Sequence, residues 1–122
     1  MKILVIEDEA NNMMLMKIIL KKHGHETIEA FTGEEGIEKV AASRPDLILM
    51  DIWLPGIDGF ETICRIRKMK NMAEVPIIAV SSYDMADDLE TLKEVGCNGY
   101  LQKPIDPLTL NDKIVEIIEA TT

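Results

Sequence analysis

The sequence predicts an α/β domain whose parallel sheet is covered on both faces by helices. Three observations predict it. Four short apolar runs, at residues 3–6, 47–50, 77–80 and, more weakly, 100–101, have turn signals nearby. Runs of this length, rich in β-branched residues, suit strands buried on both faces. Segments with helical spacing lie between them, and the β-α order repeats five times, which is the pattern of a parallel sheet with crossover helices.

Each element has its own signal. Residues 3–6 are Ile, Leu, Val and Ile, and the run stops at Glu7, Asp8 and Glu9. Residues 10–22 are dense in Met, Leu and Ile and read as a helix ending near Gly24. Residues 25–29 alternate and read as an edge strand. Thr32-Gly33-Glu34-Glu35 fits a capping box, with Thr32 at the cap and Glu35 three residues later. It opens a helix to about Ser43, before Pro45. After the strand at 47–50, Pro55-Gly56 fits the centre of a type II turn. Phe60, Ile63 and Ile66 then recur at helical spacing, as do Leu89, Leu92 and Val95 beyond the strand at 77–80. Asp106-Pro107 reads as an N-cap followed by a proline in the first turn. The last helix carries Leu110, Ile114, Ile117 and Ile118 on one side. Five such units in 122 residues fit a flavodoxin-like doubly wound (βα)5 sheet, strand order 2-1-3-4-5, better than an eight-fold barrel.

Composition narrows the function. Hydrophobic residues are 47% and charged residues 29%, which is ordinary for a globular chain. One domain over residues 1–122 is expected. The net charge of −9 argues against nucleic acid as the direct partner and against an anionic membrane surface. Two cysteines, Cys64 and Cys97, are too few for a disulfide framework and read as free, small core residues. No apolar run approaches the ~18 residues of a membrane span, and the start is too short in apolar residues for a signal peptide. A cytoplasmic location is expected. Only Ala120-Thr121-Thr122 follow the last helix, so no output domain is expected within the chain.

In a sheet of this kind ligands bind outside the carboxyl ends of the strands. Glu7 and Asp8 follow strand 1, Asp51 strand 3, Ser81 and Ser82 strand 4, and Lys103 with Pro104 strand 5. Three carboxylates brought together repel unless a proton or a cation joins them. Oxygen donors without His or Cys favour Mg²⁺, Mn²⁺ or Ca²⁺ over zinc. A divalent ion, a lysine and a hydroxyl around one Asp can hold a phosphoryl group. Asp51 itself can be the nucleophile, giving an aspartyl phosphate.

These residues resemble the receiver domain of two-component response regulators. The resemblance rests on Ile6-Glu7-Asp8, Leu49-Met50-Asp51 with Leu54-Pro55-Gly56-Ile57-Asp58-Gly59-Phe60, Val80-Ser81-Ser82, and Tyr100-Leu101-Gln102-Lys103-Pro104. It covers essentially the whole chain and looks closest to stand-alone, chemotaxis-regulator-like receivers and the receivers of hybrid kinases. The resemblance implies that Asp51 is the phosphoacceptor. It implies Mg²⁺, with Mn²⁺ as a substitute, held by Asp8, Asp51, the backbone carbonyl of Trp53, and Glu7 through water. Ser81 would hydrogen-bond the phosphoryl oxygen and Lys103 would pair with it. Tyr100 would be the switch aromatic that follows Ser81, although its residue pattern alone also fits edge-strand packing. The Lys103–Pro104 bond is expected to be cis. The chain departs from the commoner pattern in carrying Glu7 for Asp, Ser81 for Thr, and a bulky Trp53 two residues after the phosphoacceptor. By the resemblance, Trp53 and Tyr83 would border the path of attacking water and are expected to shield the acyl phosphate.

The resemblance also implies partners. These are a histidine kinase or histidine phosphotransfer protein as donor, and a downstream protein target. The chain is expected to be a monomer or a phosphorylation-dependent dimer. It would promote its own phosphorylation and hydrolysis without turning over a separate metabolite. The alternative is a receiver excised from a longer transcription regulator or hybrid histidine kinase. The first helix has more apolar residues than one buried stripe needs. Met13, Met16 or Ile18 are therefore expected to face water and, with Pro104, to dock the partner. His23 and His25 flank Gly24 without an evident third metal ligand. A phosphatase using an Asp nucleophile would often want a second Asp where Trp53 stands. A nucleotide or flavin module would want a phosphate-binding loop where Glu7, Asp8 and Glu9 would repel phosphate.

Overall fold

The computed structural model describes residues 1–82 and 86–121. Five strands form one parallel sheet: β1 Lys2–Ile6, β2 Glu26–Ala30, β3 Leu47–Asp51, β4 Ile77–Ser81 and β5 Gly99–Gln102, in the order β2-β1-β3-β4-β5. The helices between them are α1 Ala10–Lys22, α2 Gly33–Ser43, α3 Gly59–Arg67, α4 Leu89–Val95 and α5 Leu110–Thr121. This is the doubly wound (βα)5 architecture that the alternation predicts. The strands run slightly past the apolar runs, so that β3 takes in Asp51 and β4 takes in Ser81.

Strand alternation divides the core in two. Leu4, Ile6, Ile48, Met50, Ile77 and Ala79 pack with residues of α2, α3 and α4. Ile3, Val5, Leu47, Leu49, Ile78 and Val80 pack with residues of α1 and α5. Successive strand side chains point to opposite faces, so an all-apolar run supplies both layers.

Caps set where the helices begin. Thr32 Oγ1 accepts the Glu35 N–H at 3.0 Å, as its spacing predicts. Asp58 Oδ1 caps α3 by accepting the Glu61 N–H at 3.0 Å. Glu9 caps α1 with both carboxylate oxygens, on the N–H groups of Asn11 and Asn12. Asp106 caps as expected, its Oδ1 accepting the Leu108 N–H at 2.9 Å, but regular helix begins only at Leu110. Pro107 therefore lies in the turn that leads into α5 rather than in its first turn.

The α1 surface requires a correction. Met13 and Met16, expected to face water, are buried at 2% and 4% exposure. They continue through Ile19 and Leu20 as the stripe that meets Ile3 and Val5. The excess apolar residues instead leave Met14 and Ile18 exposed, 61% and 60% respectively, with Leu15 at 38%. Residues 14 and 18 are one helical turn apart, so they share the outer face.

Two features position the β3–α3 loop. Gly56, at φ +77°, occupies the left-handed position of the predicted Pro55-Gly56 turn. Gly59 donates its N–H to the Ile52 carbonyl at 2.7 Å, and a Cβ there would lie 2.6 Å from Ile52 Cα and 3.1 Å from the Asp51 carbonyl oxygen. Backbone atoms cannot give way as a flexible side chain can. Gly59→Ala should therefore cost about 1–3 kcal/mol in urea unfolding, the range for overpacking a tight site. An unchanged unfolding midpoint would show that the loop relaxes.

Candidate functional site

Alternation brings the charged residues to one side of the sheet rim. Residues 3 and 5 of β1, 47 and 49 of β3, and 101 of β5 all belong to the core layer beneath α1 and α5. The next positions in those same series are 7, 51 and 103. Glu7, Asp51 and Lys103 follow from the same periodicity that builds the core.

They meet closely. Lys103 Nζ donates to Glu7 Oε1 at 2.5 Å and to Asp51 Oδ2 at 3.3 Å. Glu7 Oε2 accepts the Glu9 N–H at 3.0 Å, and Asp51 Oδ1 accepts the Trp53 N–H at 3.1 Å. Glu7 and Asp51 are buried, at 4% and 8% exposure, whereas Asp8 is exposed. Oxygens of Glu7, Asp8 and Asp51 all lie within 4.8 Å of one another. A hard divalent cation such as Mg²⁺ fits this oxygen-only set.

Burial pushes the Glu7 carboxyl above its ordinary value of 4.5, against the hydrogen bond from Lys103, which pulls it down. Burial also works against the Lys103 ammonium. The Glu7 hydrogen bond and the charges of Asp51 and Glu7 outweigh it and raise the lysine above 10.5. The stability that Lys103 contributes is thus complete below its ordinary value and is lost as pH rises through the higher folded one.

The remaining expected residues are placed as follows. Ser81 is buried at the end of β4, and its carbonyl accepts the Lys103 N–H at 2.8 Å. The Lys103–Pro104 peptide is cis. Tyr100 lies on edge strand β5, 37% exposed. Trp53 is 49% exposed and meets Phe60 edge-on, with ring centroids 6.1 Å apart. Tyr83 lies outside the described residues. Of the expected docking residues, Ile18 and Pro104 are exposed, while Met13 and Met16 are not. His25 is occupied structurally, Nε2 with Asn111 Oδ1 at 2.8 Å and Nδ1 with the amino terminus at 3.1 Å. Cys64 and Cys97 are free, as expected, but only half-buried: Cys97 packs against the layer under α2, α3 and α4, where burial pushes its thiol up, whereas Cys64 is not among the residues of either core layer.

Two residues of α1 also border the site. Asn12 and Leu15 line a cavity of about 60 Å³ shared with Glu7, Asp51, Lys103 and Pro104. Their signal was their position in the first turns after Asp8, on a helix that starts at the rim. No described helix is long and apolar enough to cross a membrane.

The carboxylate cluster should cost stability in the absence of metal. Asp51→Asn keeps an oxygen for the Trp53 N–H and removes one negative charge. Urea unfolding without Mg²⁺ should show a gain of about 1–2 kcal/mol, the scale of relieved active-site strain. A loss instead would mean that the Lys103 contact outweighs repulsion among the carboxylates.

Comparison with known proteins gives a consistent picture. The family model described as response regulator receiver domain matches residues 3–115. Protein PilH of Pseudomonas aeruginosa is 34% identical over 109 residues, covering 89% of this chain and 90% of PilH. The polar-differentiation response regulator DivK of Brucella anthropi is 36% identical over 103 residues, 84% of each chain. Among solved structures, the chemotaxis response regulator CheY4 of Vibrio cholerae superposes with TM-score 0.90 at 27% identity, covering 95% of this chain and 97% of CheY4. The receiver domain of the sensor histidine kinase PA1611 of Pseudomonas aeruginosa, solved with a magnesium ion coordinated in its active-site cleft, gives 0.87 at 30% identity over 97% of both chains.

Proposed function

The chain belongs to the response regulator receiver domain family of two-component signalling, and from that premise we propose that Asp51 accepts a phosphoryl group from a phosphohistidine of a kinase or phosphotransfer protein. The observation that carries this reading is the buried Asp51 carboxylate, held by one ammonium and clustered with two further carboxylates at the strand ends.

Asp51 Oδ2 forms the new O–P bond. The N–P bond of the donor histidine breaks, and its electron pair returns to the imidazole, which takes up a proton from solvent. Lys103 neutralises negative charge on the phosphoryl oxygens, and the Ser81 hydroxyl donates to one of them. Asp8, Asp51, the Trp53 carbonyl and, through water, Glu7 would hold Mg²⁺, for which Mn²⁺ can substitute. Bound there, the ion supplies the positive charge that lets carboxylates and phosphoryl oxygens approach. Ser81 and Tyr100 respond to the modified Asp51, and the population shifts toward a surface that binds a downstream protein or passes the group on. Pro104 beside the site, with Ile18 farther along the outer face of α1, docks the donor. The protein acts on itself and turns over no separate metabolite.

Intact mass after incubation with Mg²⁺ and a small phosphodonor should show one added phosphoryl group, absent in Asp51→Asn. A folded wild type that gains no mass would overturn the proposal. Trp53, with Tyr83, is assigned to exclude water from the acyl phosphate. Trp53→Ala should then shorten the phosphorylated lifetime several-fold, followed by decay of the phosphorylated mass after donor removal. An unchanged lifetime would dismiss the shielding role of Trp53.

A further inference from the structure

β2 is an outer strand of the sheet, and only one of its edges is paired. On that inner edge the Glu26 N–H donates to the Met1 carbonyl at 2.9 Å, and the Ala30 carbonyl accepts the Glu7 N–H at 3.0 Å. In a parallel ladder, alternate residues of a strand turn both peptide groups to the same neighbour. Residues 26, 28 and 30 therefore serve β1, in a register running from Lys2↔Glu26 to Ile6↔Ala30. The N–H and C=O groups of Thr27 and Glu29 turn to the open edge. Beside them runs a groove of about 580 Å³ between β2 and α1, lined by Met14, Lys17, Ile18, Thr27, Glu29 and Phe31. Met14, Ile18 and Phe31 are large apolar side chains left exposed there. An open strand edge beside an exposed apolar groove is a template for another strand.

We propose that this edge pairs antiparallel with the same edge of a second copy of the chain, about a two-fold axis at Ile28. The residue order fits a second copy. Such an axis sets Thr27 opposite Glu29 of the second copy, and Glu29 opposite its Thr27. Both are hydrogen-bonded positions, so the outward groups of the two strands are satisfied in four bonds. Ile28 meets its own copy at the close pair between them. Glu26 falls opposite Ala30. No carboxylate opposes another, which would be destabilising, and Glu29 already has Lys17 as its counter-ion. The two-fold stands perpendicular to the sheet, so both α1 helices lie on one face of it. α1 packs on β1 and β2. With strands about 4.8 Å apart, the two α1 axes then run about 10 Å from each other, within the range of helix packing. Met14 and Ile18 of both copies close over the seam. Ile18 serves either this seam or a docked donor at one time, while the carboxylate rim at the strand ends stays open. The interface does not depend on the reading of Asp51.

The test is sedimentation equilibrium on the full chain. The mass should rise from one chain toward two across micromolar to millimolar concentrations. Over the same range, amide exchange at Thr27 and Glu29, followed by ¹⁵N NMR, should slow. Thr27→Pro removes an outward donor and spares the β1 ladder, since edge strands accept proline where the N–H faces solvent. Met14→Glu alters only the exposed face of α1, and it keeps the proposal testable should the proline variant fail to fold. Each should weaken association by about tenfold or more. A chain that stays monomeric throughout overturns the proposal. So does a dimer whose Thr27 and Glu29 amides exchange as fast as in the dilute chain. A dimer undiminished by Met14→Glu is held by another face and overturns it as well.

Discussion

A single ammonium faces three carboxylates at the rim of this sheet, and most of the local structure answers to that imbalance. Glu7, Asp8 and Asp51 place oxygens within 4.8 Å of one another. Two of the three are buried, where water can screen them least. Lys103 bridges the two buried ones. Backbone N–H groups of Glu9 and Trp53 satisfy the oxygens that the lysine does not reach. No buried side-chain nitrogen or oxygen among the described residues lacks a partner. The cluster is therefore fully hydrogen-bonded yet short of positive charge, a state stable enough to fold and still receptive to a cation.

The fold produces this concentration without special construction. Parallel strands end on the same side of the sheet, and alternation brings every second residue to the same face. The series through Ile3 and Val5, Leu47 and Leu49, and Leu101 builds the layer under α1 and α5. Carried one step past the apolar segment, it delivers Glu7, Asp51 and Lys103. The loops then hold these positions from outside. Gly59 closes the β3–α3 loop onto Ile52, where a Cβ would collide with backbone. Farther away, Arg67 at the end of α3 donates to the carbonyls of Gly96, Met72 and Val75 and to Asn98 Oδ1, tying α3 to the approach of β5.

Much of this was readable from residues 3–6, 47–50 and 77–80, because a strand buried on both faces must be apolar at every position. Thr32 and Asp106 were readable as caps because short polar side chains at those positions accept backbone N–H groups. The orientation of α1 was not. Met13, Met14, Leu15, Met16, Ile18, Ile19 and Leu20 are apolar on nearly every side, so periodicity could not say which stripe meets the sheet. Packing against Ile3 and Val5 decided it, burying Met13 and Met16 and leaving Met14 and Ile18 outside. The grouping of Glu7, Asp8, Asp51 and Lys103 was legible from strand ends alone. The bridging of Glu7 and Asp51 by one ammonium was not, since it depends on side-chain positions that strand ends alone do not fix.

Lys103 couples the site to the sheet beneath it. Lys103 is linked to three strands: its side chain touches the ends of β1 and β3, and its N–H donates to Ser81 at the end of β4. A rearrangement of its ammonium cannot stay local, because Glu7 holds the β1–α1 turn through Glu9, and Glu9 caps α1. Tyr100 stands three residues before Lys103 on the short edge strand β5, where fewer neighbours resist movement. Charge added at Asp51 therefore acts on a lysine with two available counter-ions rather than one.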